Sequence, residues 1–547
     1  MSTLEAVAET DTADAPSGRP IRANRLLRAS PHIVVWALLL IPTLRNAIRG
    51  WRPLGDDAAI AIGAWRTLTL HPPLVGQLTF ATSSQGNSDP GPLEYWILGP
   101  FAHLDPGQGV LIGSAILCAI ILSVAVEILW RRAGMWAAIV FSLAIADLAM
   151  TSPTPFVDPV WNSSFGFLWF AAFLAIAFVV GLGNLQYFAL LLFIGSVTVD
   201  SHLLYLPAVG FLLIFSLVCG WFMKRPGGLR WVWWTVGVAI VCWFAPVYQE
   251  FFDARPNLSA LLRSVGILSG GKVQAKEGLS YGLHAFGRAA SLSPIWASPR
   301  PIDPFASSND FAHGNIVLGL LVLVLMVLIV VWGVRRKERA LVSMGVVSIG
   351  GSLGVIVLLA SSPVSYLLSF IWVNLAVWLV GIVLWLTVGL AVIIALRPQI
   401  AKVRSQLAEV RPQVDPTATR RTGLLVFMAA ACIAGTLFAV FPYGDQFIQD
   451  WPGVGRVKQM TADVVNHVPR GNVGLGINHT GSNTLQAAGD EHGVAYLLMT
   501  KGWVPGMQPS INQLLALPIH PKSPFVVFTE HGTKLTSARY YHHYQEF

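Results

Sequence analysis

The sequence predicts a polytopic α-helical membrane protein of about eleven transmembrane helices, followed by a small C-terminal α/β domain. The first observation is composition: 54% of the residues are hydrophobic and 12% are charged, whereas soluble domains average roughly 25% charged residues. The second is a mean hydropathy of +0.60, carried by successive apolar runs of about 20 residues, which is the length that spans a bilayer as a helix. The third is a change to mixed polar sequence after residue 442, which predicts a domain folded in water.

The chain divides into three parts. The first 30 residues lack apolar periodicity, so we expect 1–30 to form a disordered cytoplasmic tail. The transmembrane domain is expected over 31–441 and the C-terminal domain over 442–547. Because a segment inside a bilayer must satisfy its own backbone groups, each apolar run is predicted to be a helix. The runs lie at 32–48, 109–130, 135–150, 164–181, 186–200, 203–222, 231–248, 314–334, 340–361, 374–396 and 423–441.

Lysine and arginine concentrate in alternate connections, and this predicts the topology. Basic residues cluster before the first predicted helix and after the second, sixth, eighth and tenth, so these segments are expected in the cytoplasm. Two long loops at 49–108 and 249–313, together with the C-terminal domain, are then extracytoplasmic. We therefore expect a multi-pass protein of the cell membrane with a cytoplasmic N-terminus and a working face outside.

In the C-terminal domain, short apolar runs at 473–477 and 525–528 predict buried strands, and 454–468 and 510–517 predict helices. We expect this domain to lie against the long loops.

Composition also excludes some classes. The formal net charge of +8 is located largely in the loops that orient the helices, so nucleic acid is not an expected partner. The four cysteines all fall within apolar runs, which predicts buried core residues rather than a disulfide framework or a zinc site; they are Cys118, Cys219, Cys242 and Cys432.

A pair of acidic residues follows the first predicted transmembrane helix. Gly55-Asp56-Asp57 immediately precedes a segment, 58–70, with helical apolar spacing. Two carboxylates at a helix start have a structural explanation, because they cap free N–H groups and favour the positive end of the helix dipole. The functional explanation is that one of them is a general base facing a cavity at the membrane surface.

The same loop continues with His71-Pro72-Pro73 and then with the stretch DPGPLEYW, which begins at Asp89. The prolines and the glycine enforce an extended path that returns Asp89 toward the bilayer surface. A plain turn explains the prolines and the glycine. Acidic, histidine and aromatic side chains are the types that bind sugar hydroxyls and sugar faces.

An acidic pair in the first extracytoplasmic loop, followed by these proline-rich stretches, resembles the GT-C superfamily of integral-membrane glycosyltransferases, especially actinobacterial members that act on cell-envelope glycans. The resemblance covers helix count, topology and the first loop. It implies a GT-C-like fold and the inverting transfer of a monosaccharide, of arabinose or mannose type, from a polyprenyl-phosphate donor to a glycan or glycolipid acceptor. It also implies that a first-loop aspartate is the base; here that is Asp56, with Asp57 as the alternative.

Further residues are candidates for substrate binding. Asp89 and His71 belong to the same loop, and Glu250 directly follows the seventh predicted helix, where it could equally cap a helix. Arg66, His202 and Arg300 are candidate partners of the lipid phosphate, although each could instead be an interfacial anchor. Carboxylates would also suit Mg²⁺, Mn²⁺ or Ca²⁺, so the sequence is compatible with a bound divalent cation.

Two other functions remain open from the sequence. A transporter or flippase of lipid-linked glycans would carry charged residues buried in the middle of its helices, and this chain has few of them. A non-catalytic envelope scaffold would bind through its C-terminal domain and leave the acidic pair unexplained.

Overall fold

The structure, a computed structural model, describes residues 20–79, 87–223, 228–253, 255–264, 268–269, 275–291, 294, 296, 313–362, 375–410, 424, 428–431, 434–435, 451–479, 484–507, 520, 522–531 and 534–541. Its helices are α1 (Pro20–Ile48), α2 (Gly55–Arg66), α3 (Leu93–Leu104), α4 (Gly109–Arg132), α5 (Met135–Thr151), α6 (Thr154–Val157), α7 (Asn162–Gly181), α8 (Phe188–Ser201), α9 (Leu206–Phe222), α10 (Arg230–Phe252), α11 (Asn257–Ser264), α12 (Gly278–Ala289), α13 (Ile316–Arg336), α14 (Arg339–Ser361), α15 (Leu375–Val410), α16 (Trp451–His467) and α17 (Thr484–Thr500). The strands are β1 (Asn472–His479), β2 (Val504–Met507), β3 (Phe525–His531) and β4 (Lys534–Tyr541).

The predicted fold class is confirmed. Within the described residues, eight helices are long and apolar enough to cross a membrane, and α5 and α8 are shorter apolar helices. Ten of the predicted runs therefore coincide with helices. The eleventh, 423–441, lies mostly outside the described residues, as do 510–517 and most of the predicted tail. Residues 20–30, which we predicted to be disordered, are helical and extend α1.

Helix α7 lies at the centre of the bundle. It is apolar on all sides and almost wholly buried, as expected of a helix without a polar face. It contacts α4, α8, α9 and α14. By contrast, α10 and α13 are mostly exposed along their apolar lengths, which places them on the surface that meets lipid. The bundle is thus ordered around α7, with its most lipid-exposed helices at the edge.

The C-terminal domain is a four-stranded sheet with helices α16 and α17. The strand order is β2-β1-β3-β4; β1 pairs in parallel with β2 and β3, and β3 pairs antiparallel with β4. The α/β prediction is therefore confirmed, and both predicted strands lie within β1 and β3. Helix α17 and strands β2 and β4 were not predicted.

This domain shares a hydrophobic core with the first long loop. Apolar residues of α2 and α3, such as Ile60 and Leu98, pack in one buried cluster with Val457 of α16 and Val494 of α17. Helices α17 and α2 are in direct contact. The expectation that the C-terminal domain lies against a long loop agrees with this packing.

Candidate functional site

The acidic pair lies in the first turn of α2. Leu54 before it is extended, and Gly55 adopts φ +54, a left-handed conformation that glycine tolerates without cost. This turn redirects the chain into α2, so that Asp56 and Asp57 emerge together at the helix N-terminus, where the dipole favours negative charge. Neither aspartate is the N-cap residue.

Neutral donors hold both oxygens of the Asp56 carboxylate. Nε2 of Gln77 donates to Oδ1 at 2.9 Å, and the indole Nε1 of Trp161 donates to Oδ2 at 2.9 Å. Burial raises the pKa of Asp56, while these two hydrogen bonds oppose the rise because they stabilise the charged form. Asp56 as a residue remains partly exposed, and the two hydrogen bonds orient its carboxylate.

Asp57 has a different environment. It is buried, and its carboxyl group hydrogen-bonds to that of Asp158. Burial, together with the charges of Asp158, Asp56 and Glu94, raises the pKa of Asp57 well above its usual value. Burial also raises the pKa of Asp158, to about 7. The two carboxyl groups therefore share a proton.

A short hairpin positions Gln77. The amide of Asp89 donates to the carbonyl of Gln77 at 2.7 Å, and the amide of Thr79 donates to the carbonyl of Asn87 at 2.9 Å. Leu78 and Ser88 form an antiparallel bridge between the two strands of the hairpin. The same segment that pairs with Asp89 thus directs the Gln77 side chain toward Asp56.

The hairpin also brings Asp89 and Asp200 together. Oδ1 of Asp89 accepts a hydrogen bond from the amide of Leu203 at 3.1 Å. Asp200, at the end of α8, lies so close to Gly91 that a Cβ there would overlap its carboxylate. Glu94, in the first turn of α3, hydrogen-bonds to Ser201. The proline- and glycine-rich stretch therefore packs against the junction of α8 and α9.

Six carboxyl groups form this acidic cluster: Asp56, Asp57, Asp89, Glu94, Asp158 and Asp200. All except Asp56 are buried. Burial raises the pKa of Asp89 and of Glu94 well above their usual values. Such a cluster binds protons more tightly than isolated carboxylates do, and Asp56 is its one partly exposed member. Among the described residues, no group of three or more His, Cys, Asp or Glu side chains is arranged to hold a metal ion.

The predicted site residues separate into those that the structure brings together and those that it does not. Asp56, Asp57 and Asp89 belong to the acidic cluster. His202 directly precedes Leu203, and burial lowers the pKa of His202 to about 4. A neutral ring can still donate an N–H hydrogen bond to a phosphate, so the role of His202 as a phosphate partner stays a prediction.

Arg66 and His71 are not part of the acidic cluster. Arg66 ends α2, ten residues after Asp56, which corresponds to about 15 Å along the helix axis. His71 follows it and is exposed. Glu250 caps α11, because its Oε2 accepts a hydrogen bond from the amide of Ser259 at 3.1 Å; this is the structural alternative that the sequence left open. Arg300 lies outside the described residues.

Sequence reasoning missed four members of the site. Gln77, Asp158 and Trp161 belong to no motif identified in the sequence, and Glu94 was recognised only as part of the proline-rich stretch that begins at Asp89. For Glu94, a usable signal was its position at the start of a helix after two prolines. For Asp158 and Trp161 the signal was weak, since only folding brings this segment beside α2.

Comparison with solved structures finds similar folds. The structure is similar to the crystal structure of ArnT from Cupriavidus metallidurans bound to undecaprenyl phosphate, at 12% identity and a TM-score of 0.46, over 94% of this chain and 93% of that one. It is also similar to the Archaeoglobus fulgidus oligosaccharyltransferase in its apo form, at 11% identity and a TM-score of 0.41.

A further likeness is to the Archaeoglobus fulgidus oligosaccharyltransferase AglB in complex with an inhibitory peptide and a dolichol-phosphate, at 13% identity and a TM-score of 0.37. This chain spans 64% of the length of each oligosaccharyltransferase, which in turn cover 88% of it. No known protein family and no curated protein matches the chain. Similarity at this level describes overall fold and leads to no conclusion about substrate or residues.

Proposed function

We propose that the protein is an inverting glycosyltransferase that moves a monosaccharide, of arabinose or mannose type, from a polyprenyl-phosphate donor to a cell-envelope glycan or glycolipid. In this proposal the N-terminus is cytoplasmic, and the acidic cluster and the C-terminal domain lie on the outer side of the cell membrane. Nucleotide sugars are not available there, so a lipid must deliver the donor. The alternation of basic connections supports this orientation.

One observation carries the proposal: Asp56 is the one partly exposed member of a buried acidic cluster, and neutral N–H donors hold both of its carboxylate oxygens. A general base needs a fixed orientation, access to the reacting hydroxyl and a pKa raised toward neutrality. Asp56 has all three. Asp57 is buried and hydrogen-bonded to Asp158, so it is less suited to meet an acceptor hydroxyl.

The proposed reaction has the following steps. The deprotonated Asp56 carboxylate accepts the proton of an acceptor hydroxyl, whose oxygen forms a bond to the anomeric carbon of the donor. The bond between that carbon and the phosphate oxygen breaks, and polyprenyl phosphate leaves with the electron pair. Attack opposite to the leaving group inverts the anomeric carbon. General-base catalysis of this kind contributes about 10²- to 10⁴-fold in rate.

The test compares two isosteric variants of neighbouring residues. Purified full-length protein in nanodiscs is supplied with polyprenyl-phosphate arabinose or mannose and an acceptor glycan, and product is quantified. Asp56→Asn should lower kcat/KM by about 10²- to 10⁴-fold. Asp57→Asn keeps a neutral N–H donor toward Asp158 and should stay within about tenfold of wild type.

The outcomes separate the assignments. Wild-type rates in Asp56→Asn would refute Asp56 as the base, and loss of transfer in Asp57→Asn alone would also contradict this assignment. Mass spectrometry of lipids that co-purify with the wild type tests the donor class, because the proposal requires a sugar-bearing polyprenyl phosphate among them.

A further inference from the structure

The C-terminal domain packs on the segment that leads into the acidic pair. Trp51, just before this segment, and Ile60 and Ala61 within α2 are fully buried in a core to which the domain contributes Met460 and Tyr496. Burial of this kind stabilises by roughly 25 cal/mol per Å² of apolar surface. If the domain moved away, both sides would expose apolar surface to water, so the contact behaves as a domain core rather than as a mobile tether.

Two glycines of α17 make the closest approach. A Cβ added at Gly489 would lie 3.3 Å from the amide nitrogen and 3.4 Å from the Cα of Gly55. A Cβ added at Gly493 would lie 2.9 Å from Cδ2 of Leu54 and 3.1 Å from the carbonyl oxygen of Pro53. Helix α17 thus contacts the backbone of the turn immediately before Asp56, and any side chain at Gly489 would require that turn to shift.

The conformation of this turn depends on support from outside. Gly55 has φ +54, and Leu54, the N-cap of α2, has no capping hydrogen bond from its side chain. Helix N-termini without such a cap are less stable by about 1 kcal/mol. Packing against α17 therefore supports the turn from outside α2, in addition to the hydrogen bonds that Asp56 accepts from Gln77 and Trp161.

We propose that the C-terminal domain is a positioning element of the candidate site, in which Gly489 of α17 holds the Gly55 turn so that the Asp56 carboxylate meets Gln77 and Trp161. The catalytic part of this inference rests on the proposed function. The positional part does not, because it concerns only the contact between α17 and the turn. Gly489 acts through Gly55 and is a positioning residue.

A matched pair of glycines tests the proposal. Gly489 and Gly455 both lie in helices of the C-terminal domain, but a Cβ at Gly455 meets no atom within 4 Å. Replacement by alanine or valine changes helix propensity alike at the two positions, so only the contact differs. The variants are Gly489→Ala, Gly489→Val, Gly455→Ala and Gly455→Val in the full chain.

The first readout is hydrogen–deuterium exchange of the α2 amides in nanodiscs, which needs no substrate. Gly489→Val should increase exchange in α2 by about tenfold relative to Gly455→Val, with Gly489→Ala between them. The second readout is the pH profile of kcat/KM. A displaced Asp56 loses its N–H donors, so its pKa rises and the acidic limb of the profile moves to higher pH in the Gly489 variants and not in the Gly455 variants.

The two readouts separate the two claims. Unchanged α2 exchange in Gly489→Val overturns the positioning role even if the protein is an active glycosyltransferase. Increased exchange in a protein that shows no transfer with any donor supports the positioning role and counts against the proposed function alone. If the Gly489 and Gly455 variants increase exchange of the α2 amides equally, the cause is a general loss of stability of the C-terminal domain. This result would also overturn the inference.

Discussion

Buried carboxylates occur in two regions of the molecule, and their surroundings differ. In the C-terminal domain, Arg456 contacts two of them: its Nη2 lies 2.6 Å from Oδ2 of Asp490, and its Nε lies 3.4 Å from Oε1 of Glu530. In the acidic cluster, the neighbours that shift the pKa of Asp56 and of Asp57 are other carboxyl groups and neutral donors. The first region pairs its buried carboxylates with a cation of the same domain. The second holds protons that a ligand or a reaction can exchange.

The two regions separate buried charges that stabilise the fold from buried carboxyl groups that can take part in proton transfer. Breaking a buried ion pair leaves an uncompensated charge, so each partner becomes necessary for folding. A carboxyl that can be protonated tolerates neutral substitution, because the fold does not depend on its charge. The following variants test this difference between the two regions.

Arg456→Met should cause the largest loss of stability. It removes the guanidinium and leaves Asp490 and Glu530 buried beside an apolar side chain, which costs about 3–5 kcal/mol in the free energy of unfolding. Thermal unfolding of the full chain in detergent measures the loss. Lys501→Met is the control, because Lys501 is exposed in the same domain. A melting temperature of Arg456→Met equal to that of the control would contradict the contrast.

Trp161→Phe should change the pH dependence of transfer. It removes one of the two N–H donors to Asp56 and so raises the pKa of that carboxyl, because the lost hydrogen bond stabilised its charged form. Asp56 acts as the deprotonated base, and activity is lost as the pH falls through its pKa. The acidic limb of the kcat/KM profile should therefore move to higher pH, with lower rates on that limb.

The control for Trp161→Phe is Trp96→Phe. The Trp96 indole donates to the carbonyl of Pro73 at 3.1 Å rather than to a carboxylate, so this variant should leave the limb in place. An unshifted profile in Trp161→Phe would show that its indole does not set the protonation of the base.

The sequence sufficed for the helices of the bundle and for the acidic pair, since both depend on local pattern: apolar runs of spanning length, and two aspartates at a helix start. It did not predict the partners of that pair. Asp158 and Trp161 lie about a hundred residues from Asp56 and Asp57 in sequence, and only the packing of α7 against α2 brings them together.

The wrong prediction for residues 20–30 and the missed helix α17 have a similar origin. The segment 20–30 is polar and arginine-rich, yet it is helical as part of α1, and Arg28 forms an ion pair with Glu127 of α4, a contact that no local pattern reveals. Helix α17 contains Gly489 and Gly493, which lower helix propensity by roughly 1 kcal/mol each. The same absence of side chains allows α17 to approach the Gly55 turn, so the feature that obscured this helix in the sequence permits its contact.

Asn257→Ala should give the smallest effect, because it alters the hairpin one step away from the acidic cluster. The Asn257 side chain accepts from the amide of Ser88 at 2.9 Å and donates to its carbonyl at 3.0 Å, and so holds the outer edge of the hairpin that carries Gln77. Losing both bonds should lower kcat/KM by about threefold, equivalent to ~0.7 kcal/mol and within the net worth of one neutral hydrogen bond.

Asn315→Ala is the matched control for this variant, since Asn315 also uses its side chain to accept from a backbone amide, that of Leu318, but at the start of α13. If both variants lower transfer equally, the effect of Asn257→Ala is a general loss of stability and not a change in the hairpin. A loss confined to Asn257→Ala, with increased amide exchange at 87–89, would show that the second long loop supports the hairpin. The acidic cluster would then depend on three separate supports, namely α7, α11 and α17, whereas the Arg456 cluster depends on charges within its own domain.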